Sequence, residues 1–173
     1  MLTENELLSF VEKMYGSSGR KIIEALMKSK TGMGIDEIAR ETNLRTNDIR
    51  RLLYEMAQEE FVITLRSQRG ESMWYTYRWY TDTGIIKRAL VRRLRATLNV
   101  LNERLEYEQS TTFYICPNDY TIYSFEEAFE NGFRCMHCQS ELIAFDNKSI
   151  ITFLKSLIEE IEKILKALSI NEA

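Results

Sequence analysis

Three cysteines and one aspartate are spaced as the ligands of a small metal site are. Cys135 and Cys138 form a Cys-x-x-Cys pair, and upstream of them Cys116 and Asp119 stand at the same separation. Two Cys-x-x-Cys pairs about 15–20 residues apart are typical of a tetrahedral zinc ribbon. Asp119 takes the position of one cysteine, and a carboxylate oxygen can ligate zinc even though structural sites prefer thiolates. The spacing therefore predicts a zinc-ribbon-like module over residues 111–146.

Three interpretations of this module stay open from the residues alone. In one, Cys116, Asp119, Cys135 and Cys138 hold a zinc ion. In another, the three thiolates hold it and water or His137 supplies the fourth ligand. In the third, the module folds without a metal, because dense aromatic and aliphatic side chains replace the staple that small domains otherwise need. Those side chains are Phe113, Tyr114, Ile115, Tyr120, Ile122, Tyr123, Phe125, Phe129, Phe133 and Phe145.

Neither catalysis nor a disulfide framework is expected. The chain holds a single histidine, His137, and the local sequence offers it no serine or aspartate partner for acid–base chemistry. An open catalytic zinc would require a cleft, which a ribbon seldom provides. Three cysteines do not pair into a disulfide scaffold. We expect a protein that is not an enzyme and has no small-molecule substrate.

The residues before this module predict helices first. Thr3 followed by Glu6 forms a capping box, in which each side chain bonds the other residue's backbone N–H. The Gly-Ser-Ser-Gly sequence at residues 16–19 predicts a break before a second helix. Residues 33–60 predict two further helices joined by a tight turn at residues 43–45, which is a helix-turn-helix pattern.

A β-hairpin is predicted to follow these helices. Residues 61–66 and 73–80 are runs of β-branched and aromatic side chains, with a glycine in the segment between them. Helices followed by such a hairpin predict a winged helix-turn-helix domain over residues 1–81. The aromatic rings nearest the helices are expected to complete the core, and the residues nearest the bend to form a contact site. That site consists of Arg66, Arg69, Met73, Trp74 and Tyr75.

Duplex recognition by the third helix is not expected. A winged helix by default places this helix in the major groove, where lysine and arginine neutralise phosphates. Here Arg50 and Arg51 are offset by acidic residues, and no cluster of asparagine or glutamine is placed to read bases. The acidic residues are Asp48, Glu55, Glu59 and Glu60. A protein-docking module fits this pattern better.

Residues 82–110 predict one long basic helix, which Asp82 or Thr83 can cap. Its apolar residues recur at spacings of three and four. These are Ile86, Leu90, Leu94, Leu98, Leu101 and Leu105. Its cations are expected to contact nucleic acid or an acidic protein face; they include Lys87, Arg88, Arg92, Arg93 and Arg95. The alternative is a solvated face with salt bridges to the acidic C-terminal residues.

Residues 147–173 predict an amphipathic C-terminal helix. Its regularly spaced apolar positions are Leu154, Leu157, Ile161, Ile164 and Leu168. We expect this helix to fold back against the apolar stripe of the basic helix. The alternative is a coiled-coil contact with a second subunit.

The predicted fold class is α+β and mainly helical. A winged helix occupies residues 1–81, a basic linker helix residues 82–110, the small β-rich zinc-ribbon-like module residues 111–146 and the amphipathic helix residues 147–173. The sequence shows no signal peptide and no apolar run near the ~20 residues of a membrane span. We therefore expect a soluble, cytoplasmic and nucleoid-associated protein.

Two stretches of the cysteine module resemble a known family. They read F-Y-I-C-P-N, ending at Asn118, and Y-S-F-E-E-A-F-E-N-G-F-R-C-M-H-C, ending at Cys138. With the preceding winged helix and basic helix, they closely resemble the archaeal transcription factor E family, the counterpart of the alpha subunit of eukaryotic general factor IIE. The resemblance runs from about Glu4 to Phe145. Asp119 alone breaks the family's four-cysteine pattern.

The resemblance implies a basal initiation factor without catalytic activity. Such a factor joins RNA polymerase in the preinitiation complex with promoter DNA, contacts the clamp and stalk, and favours DNA opening. It implies that the wing tip around Met73, Trp74 and Tyr75 meets the clamp, that the ribbon lies towards the stalk, and that a smaller beta subunit is a candidate partner.

A second function stays open from the residues. It is a winged-helix transcriptional repressor whose cysteine module senses metal or oxidation. This function predicts a symmetric dimer that binds a specific duplex tightly.

Overall fold

The computed structural model describes residues 3–68 and 75–169, which are mainly helical and include small antiparallel sheets. The chain divides into two compact units. The first comprises residues 1–94 with residues 165–173, and the second comprises residues 95–164. No helix among the described residues is both long and apolar enough to span a membrane.

Helix α1, Glu4–Met27, begins at the predicted capping box. The Glu6 N–H donates to Thr3 Oγ1 (3.3 Å), and the Thr3 N–H donates to Glu6 Oε2 (2.6 Å), so two donors at the start of the helix are satisfied. At Gly16 the backbone leaves the helical region (φ 71°, ψ −179°), in a conformation open almost only to glycine. The predicted break is therefore confirmed as a kink between two helical halves.

Helices α2, Ile35–Thr42, and α3, Thr46–Gln58, are joined by the predicted tight turn. Asn43 is left-handed (φ 56°) and its N–H donates to Ala39 O (2.9 Å), which ends α2. The apolar faces of the three helices pack together because their side chains recur at helical spacing. Fully buried members include Leu7, Val11, Ile22, Ile23, Leu26, Ile38, Ile49, Leu53 and Met56.

Strands β1, Ile63–Gln68, and β2, Tyr75–Tyr80, pair antiparallel, which confirms the predicted hairpin. Trp79 is 7 % exposed and packs edge-on against Tyr54 of α3, whereas Tyr77 on the same face is 61 % exposed. The ring nearest the helices thus completes the core. Phe61, which the prediction placed in the first strand, precedes β1 and is buried.

Arg78 and Met33 fasten the hairpin to the helices. Met33 and Trp79 exchange two N–H···O bonds of 2.8 Å. The Arg78 guanidinium donates to Glu37 Oε2 of α2 and to Gly32 O, both at 2.7 Å. Gly32 lies in the left-handed region (φ 73°) against the Trp79 carbonyl, so the hairpin can approach this closely only because no side chain is present there.

Helix α4, Thr83–Ser110, coincides with the predicted basic helix. The Ile85 N–H donates to Asp82 Oδ1 (2.8 Å), so Asp82 caps its start. The predicted apolar stripe is fully buried at Ile86 and Leu90. Further along the helix it is half-buried, at Leu94, Leu98, Leu101 and Leu105.

The second unit contains a small antiparallel sheet and a short helix. Strand β3, Phe113–Ile115, lies between β4, Ile122–Ser124, and β5, Ile143–Phe145. Helix α5, Phe125–Glu130, follows β4 directly. The sequence-based prediction of a small β-rich module missed α5. The signal was present, because Ser124 and the residue three positions later form a capping box like the one at α1.

Helix α6, Lys148–Ser169, confirms the predicted C-terminal helix. Just before it, Asn147 Nδ2 donates to the backbone carbonyl of Glu108 (2.8 Å) and to its carboxylate (2.7 Å). Glu108 is 3 % exposed and also pairs with Arg104. Hydrogen bonds and a counter-charge therefore satisfy a buried carboxylate that would otherwise be costly.

The apolar positions predicted for a helix contact are mostly covered. Leu154 and Leu168 are buried, as is Ile158, which the prediction left out. The remaining predicted positions, Leu157, Ile161 and Ile164, are half-buried. This burial favours folding back within the chain over an exposed stripe, and a contact with a second subunit stays a prediction.

Gly32→Ala is expected to destabilise the protein by about 2–3 kcal/mol. A Cβ at this position would lie 2.7 Å from the Trp79 carbonyl oxygen at a φ of +73°, so a steric clash adds to backbone strain. Chemical denaturation measures the loss. Gly34→Ala is the matched control, because its Cβ would meet no neighbouring atom closer than 3.9 Å. Equal unfolding midpoints for the two variants would contradict the prediction.

Candidate metal centre

The structure brings together the four residues of the first interpretation. One ligand atom from each of Cys116, Asp119, Cys135 and Cys138 lies within 4.8 Å of the others. Cys116 Sγ is 3.4 Å from Cys138 Sγ, and Cys135 Sγ is 3.2 Å from Asp119 Oδ2. A tetrahedral zinc site with Zn–S bonds of about 2.3 Å places its sulfurs about 3.8 Å apart. The donor set therefore has the size and chemistry of a metal site.

Two copies of the same turn present these donors. In each, the N–H of the first cysteine donates to the carbonyl five residues later, and its carbonyl accepts from the N–H four residues later. The bonds are Cys116 N to Thr121 O (3.0 Å), Tyr120 N to Cys116 O (3.0 Å), Cys135 N to Ser140 O (2.9 Å) and Gln139 N to Cys135 O (2.9 Å). Tyr120 and Gln139 are both left-handed, with φ of 60°. The sequence repeat therefore reflects a repeat of backbone geometry.

Asp119 stands where the second turn carries Cys138. The Thr121 N–H donates to Asp119 Oδ1 (2.9 Å), and the other oxygen, Oδ2, accepts from the Cys135 thiol. The Thr121 N–H, and then the Cys135 thiol, hold the pKa of the Asp119 carboxyl well below its usual range. The carboxylate is therefore ionised at neutral pH and has one oxygen directed at the sulfurs.

The sulfurs differ in burial. Cys116 and Cys135 are fully buried, whereas Cys138 is exposed. Burial raises the pKa of the Cys116 thiol to about 11. The Ser140 hydroxyl, 3.3 Å from Cys138 Sγ, and the Ser140 N–H lower the pKa of Cys138 to about 6. One thiolate thus forms readily near neutral pH, and a bound cation would favour deprotonation of the buried thiols.

Residues around the donors orient them, and the sequence analysis assigned this role to none of them. The Tyr123 hydroxyl lies 3.4 Å from Cys135 Sγ and accepts from the Met136 N–H. Asn118 Nδ2 donates to Ser140 Oγ (2.6 Å), which holds the Ser140 hydroxyl beside Cys138 Sγ (3.3 Å). Ser140 stands five residues after Cys135, as Thr121 stands five residues after Cys116, and this shared position of a hydroxyl residue was the available signal.

His137 does not join this group. Among the described residues, the convergent ligand atoms come from the three cysteines and Asp119. The contribution of His137 is its backbone N–H, which donates to Cys135 Sγ (3.4 Å). The structure thus offers no support for an imidazole as the fourth ligand.

The apolar core of this module includes few of the side chains that the metal-free interpretation named. It consists of Cys116, Tyr123, Ala128, Cys135 and Leu142, with Tyr114 and Phe133 packed against it. Several side chains expected to hold the module together are instead exposed: Tyr120, Ile122, Phe125 and Phe129. That expectation is corrected for these residues, because the donor cluster occupies the centre and leaves room for few rings.

Part of the predicted basic surface on α4 is already paired. Arg92 bonds Glu60 Oε2 (2.6 Å) and Arg93 bonds the Glu59 carboxylate. The acidic partners lie after α3 and not in the C-terminal residues, where the sequence analysis expected them. Of the other predicted cations, Arg88 and Arg95 are exposed and Lys87 is half-buried. Each exposed ion pair of this kind contributes about 0–1 kcal/mol to the stability of the fold. The arginines can therefore exchange their glutamate partners for another anion.

The predicted wing contact lies mostly outside the described residues. Arg69, Met73 and Trp74 are not described. Arg66 is exposed near the end of β1, and Tyr75 is the first residue of β2. Arg66 stands opposite Tyr77 in the hairpin register.

A helical unit with an antiparallel hairpin is joined in one chain to three cysteines and one aspartate whose ligand atoms could hold a metal ion. The family model described as TFIIE alpha subunit matches residues 6–110. The chain belongs to this family, which makes it a basal transcription initiation factor and confirms the family predicted from the sequence.

Three relatives named Transcription factor E are similar to this chain over most of its length. The protein of Saccharolobus islandicus is 36 % identical over 160 residues, covering 92 % of this chain and 91 % of the relative. That of Metallosphaera sedula is 39 % identical over 142 residues, covering 82 % and 81 %. That of Saccharolobus solfataricus is 36 % identical, covering 92 % and 90 %. The similarity thus extends beyond the family model into the metal cluster.

Cys138 is predicted to be the fastest thiol to react in metal-free protein. Its pKa of about 6 makes it a thiolate above pH 6, whereas buried Cys116, with a pKa of about 11, stays protonated. Iodoacetamide labelling, followed by peptide mass at each pH, should show Cys138 modification rising to a plateau by about pH 7. Labelling of Cys116 at the same rate would contradict this assignment.

Proposed function

We propose that this initiation factor docks on RNA polymerase within the preinitiation complex and promotes opening of promoter DNA there. The element order α1, α2, α3, β1, β2 supports a winged helix that acts as a protein-docking module. The proposal depends on one observation in this chain of the TFIIE alpha family, which is that arginines on and near α3 are paired with glutamates.

The surface of α3 is poorly suited to a phosphate backbone. Arg51 is engaged by Glu55 on the same helix (3.1 Å), and the ion pairs of Arg92 and Arg93 neutralise the acidic end of α3 internally. Duplex binding gains most of its free energy from neutralising phosphates. Pairs of this kind reduce the positive charge that is available for that purpose, which favours a protein partner.

Exposed tyrosines supply a surface for such a partner. Tyr54 of α3 is 62 % exposed and Tyr77 of β2 is 61 % exposed, although Tyr54 also packs on buried Trp79. Large aromatic side chains and arginine are enriched where protein interfaces gain most of their affinity. We infer that the hairpin, including Arg66, Arg69, Met73, Trp74 and Tyr75, contacts the polymerase clamp, and that the cysteine module lies towards the stalk.

The metal that fits the cysteine cluster best is zinc. Three thiolates and one carboxylate match its preference for sulfur with an occasional oxygen ligand, and the donors are convergent. When bound, the ion would cross-link the two turns and neutralise thiolates that otherwise repel each other. The chain's own contribution is to hold Asp119 in place through the Thr121 N–H.

Helix α6 supports a further, weaker assignment. Its apolar stripe is partly covered within the chain, yet Phe153 on the same helix is 61 % exposed. A smaller beta subunit of the factor would gain a contact there. We expect a cytoplasmic, nucleoid-associated location, because the proposed function takes place at promoter DNA.

Polymerase binding tests the proposal directly. Tagged full-length chain and purified polymerase are mixed with nuclease, and the dissociation constant is measured. Tyr77→Ala should weaken binding about tenfold with little change in melting temperature, because Tyr77 is 61 % exposed. Val100→Ala, at an apolar side chain that is 63 % exposed, serves as the control. Wild-type protein that ignores polymerase but retains one specific duplex would replace this function with the repressor.

Metal content tests the zinc assignment. One zinc per chain is expected by elemental analysis, and Cys135→Ser should remove it, because that sulfur is buried among the donors. Asp119→Cys should slow zinc loss to a chelator by at least about tenfold, since structural sites prefer thiolate. Cobalt substitution provides a second readout, as the sulfur-to-cobalt absorption should intensify in Asp119→Cys. Absence of zinc from both wild type and Asp119→Cys would contradict the assignment.

A further inference from the structure

A cleft opens within the second unit between the end of α4 and the start of α5. Its volume is about 630 Å³. Its walls include the rings of Tyr107 and Phe125 and the carboxylate-bearing side chains of Glu126 and Glu127. The cleft does not involve the metal ligands, so it represents a separate feature of the module.

Exposed aromatic rings extend from one wall of this cleft. Phe125 and Phe129 stack with ring centroids 6.1 Å apart at 17°, and they are 44 % and 66 % exposed. Behind them, Phe133 lies edge-on to both, and it is anchored in turn by Tyr114 at 5.0 Å. Phe133 thus restricts the motion of the exposed pair, which lowers the conformational entropy that these rings lose when a partner binds. Exposed apolar surface of this kind marks an interaction site.

The charge around these rings is negative. Glu126, Glu127 and Glu130 all lie on α5, which carries no basic residue. Glu127 is fixed by its bond to the Ser124 N–H (2.8 Å), whereas Glu126 and Glu130 are exposed and make no ion pair among the described residues. A partner that covers the rings must bring positive charge, because burying carboxylates without a counter-charge is costly.

The opposite wall shows which cation suits this surface. The guanidinium of Arg104 already lies over the ring of Tyr107, with its carbon 5.4 Å from the centroid. Arginine stacks on aromatic faces while its donors bond carboxylates, which a lysine does less well. Rings bordered by carboxylates therefore match an arginine side chain more closely than any other.

We propose that this cleft and the Phe125–Phe129 pair bind an arginine-bearing segment of a protein partner. The proposal rests on the proposed function, in which that partner is RNA polymerase. Single-stranded nucleic acid could also stack bases on exposed rings, but it requires a positively charged groove. The carboxylates of α5 would repel its phosphates.

A photo-crosslink tests the occupant. Full-length protein with p-benzoylphenylalanine in place of Phe129 is bound to purified polymerase without DNA and irradiated. The crosslinked polymerase peptide, identified by mass, should contain arginine close to the attachment point. The same probe at Ile143, an apolar residue of β5 that is 55 % exposed, is the control and should give a different product or none. A product at position 129 that lacks nearby arginine would overturn the proposal.

Affinity measurements give an independent readout. Phe129→Ala should weaken polymerase binding about tenfold, and Glu126→Gln with Glu130→Gln should weaken it several-fold and reduce its dependence on salt. Ile143→Ala is the matched truncation and should leave affinity unchanged. Melting temperatures should stay within a degree or two of wild type, because these side chains are exposed.

The outcomes separate this proposal from the function on which it rests. Wild-type protein that fails to bind polymerase would overturn the proposed function and remove the partner named here. Wild-type binding that survives Phe129→Ala and the double glutamine variant unchanged would overturn the arginine site alone. Crosslinking of position 129 to single-stranded promoter DNA in the full complex, with none to protein, would replace the arginine segment with nucleic acid.

Discussion

Four donor atoms lie within 4.8 Å of one another in residues 111–146, and their convergence constrains how the rest of this module packs. The strands of this module are three residues long each, too short to build a core by themselves. Cys116 and Cys135 are themselves part of the small buried cluster, so packing and ligand geometry are one constraint. Thiolates at this distance repel one another, and a bound cation removes that repulsion.

The position of the donor cluster also determines which other side chains of the module are buried and which are exposed. Because the donor cluster and Tyr123 fill the interior, Phe125 and Phe129 are left on the surface. Asp119 and Cys138 form the exposed side of the donor set, while Cys116 and Cys135 form its buried side. The buried donor cluster and the exposed rings therefore lie in different parts of one small module. This separation is compatible with a rigid centre that supports a binding surface.

Charge pairing has a comparable effect in the first unit. Arg92 and Arg93 of α4 lie against Glu60 and Glu59, and Arg78 lies against Glu37. Each pair engages a cation that a DNA-binding domain would direct at phosphates. What remains exposed near α3 and the hairpin includes tyrosine, which is a residue of protein interfaces. A basal initiation factor that works through protein contacts is consistent with both units.

The sequence by itself determined the features that arise from neighbours a few residues apart. The capping box at Thr3, the kink at Gly16, the helix from Thr83 to Ser110 and the paired ligand spacings all depend on hydrogen bonds or periodicity that span one or two turns. The capping box at Ser124 belongs to the same class and was readable, although the dense aromatic run directed the prediction towards strands.

Only the tertiary structure decided which faces are covered. A run of phenylalanines predicts a buried core whether or not the interior has space for the rings. Here the donor cluster occupies the interior, so Phe125 and Phe129 remain exposed. The partners of Arg92 and Arg93 lie more than thirty residues away, a separation that no local pattern encodes. Exposure and long-range pairing depend on how elements pack, and the packing follows from the summed burial of the whole chain.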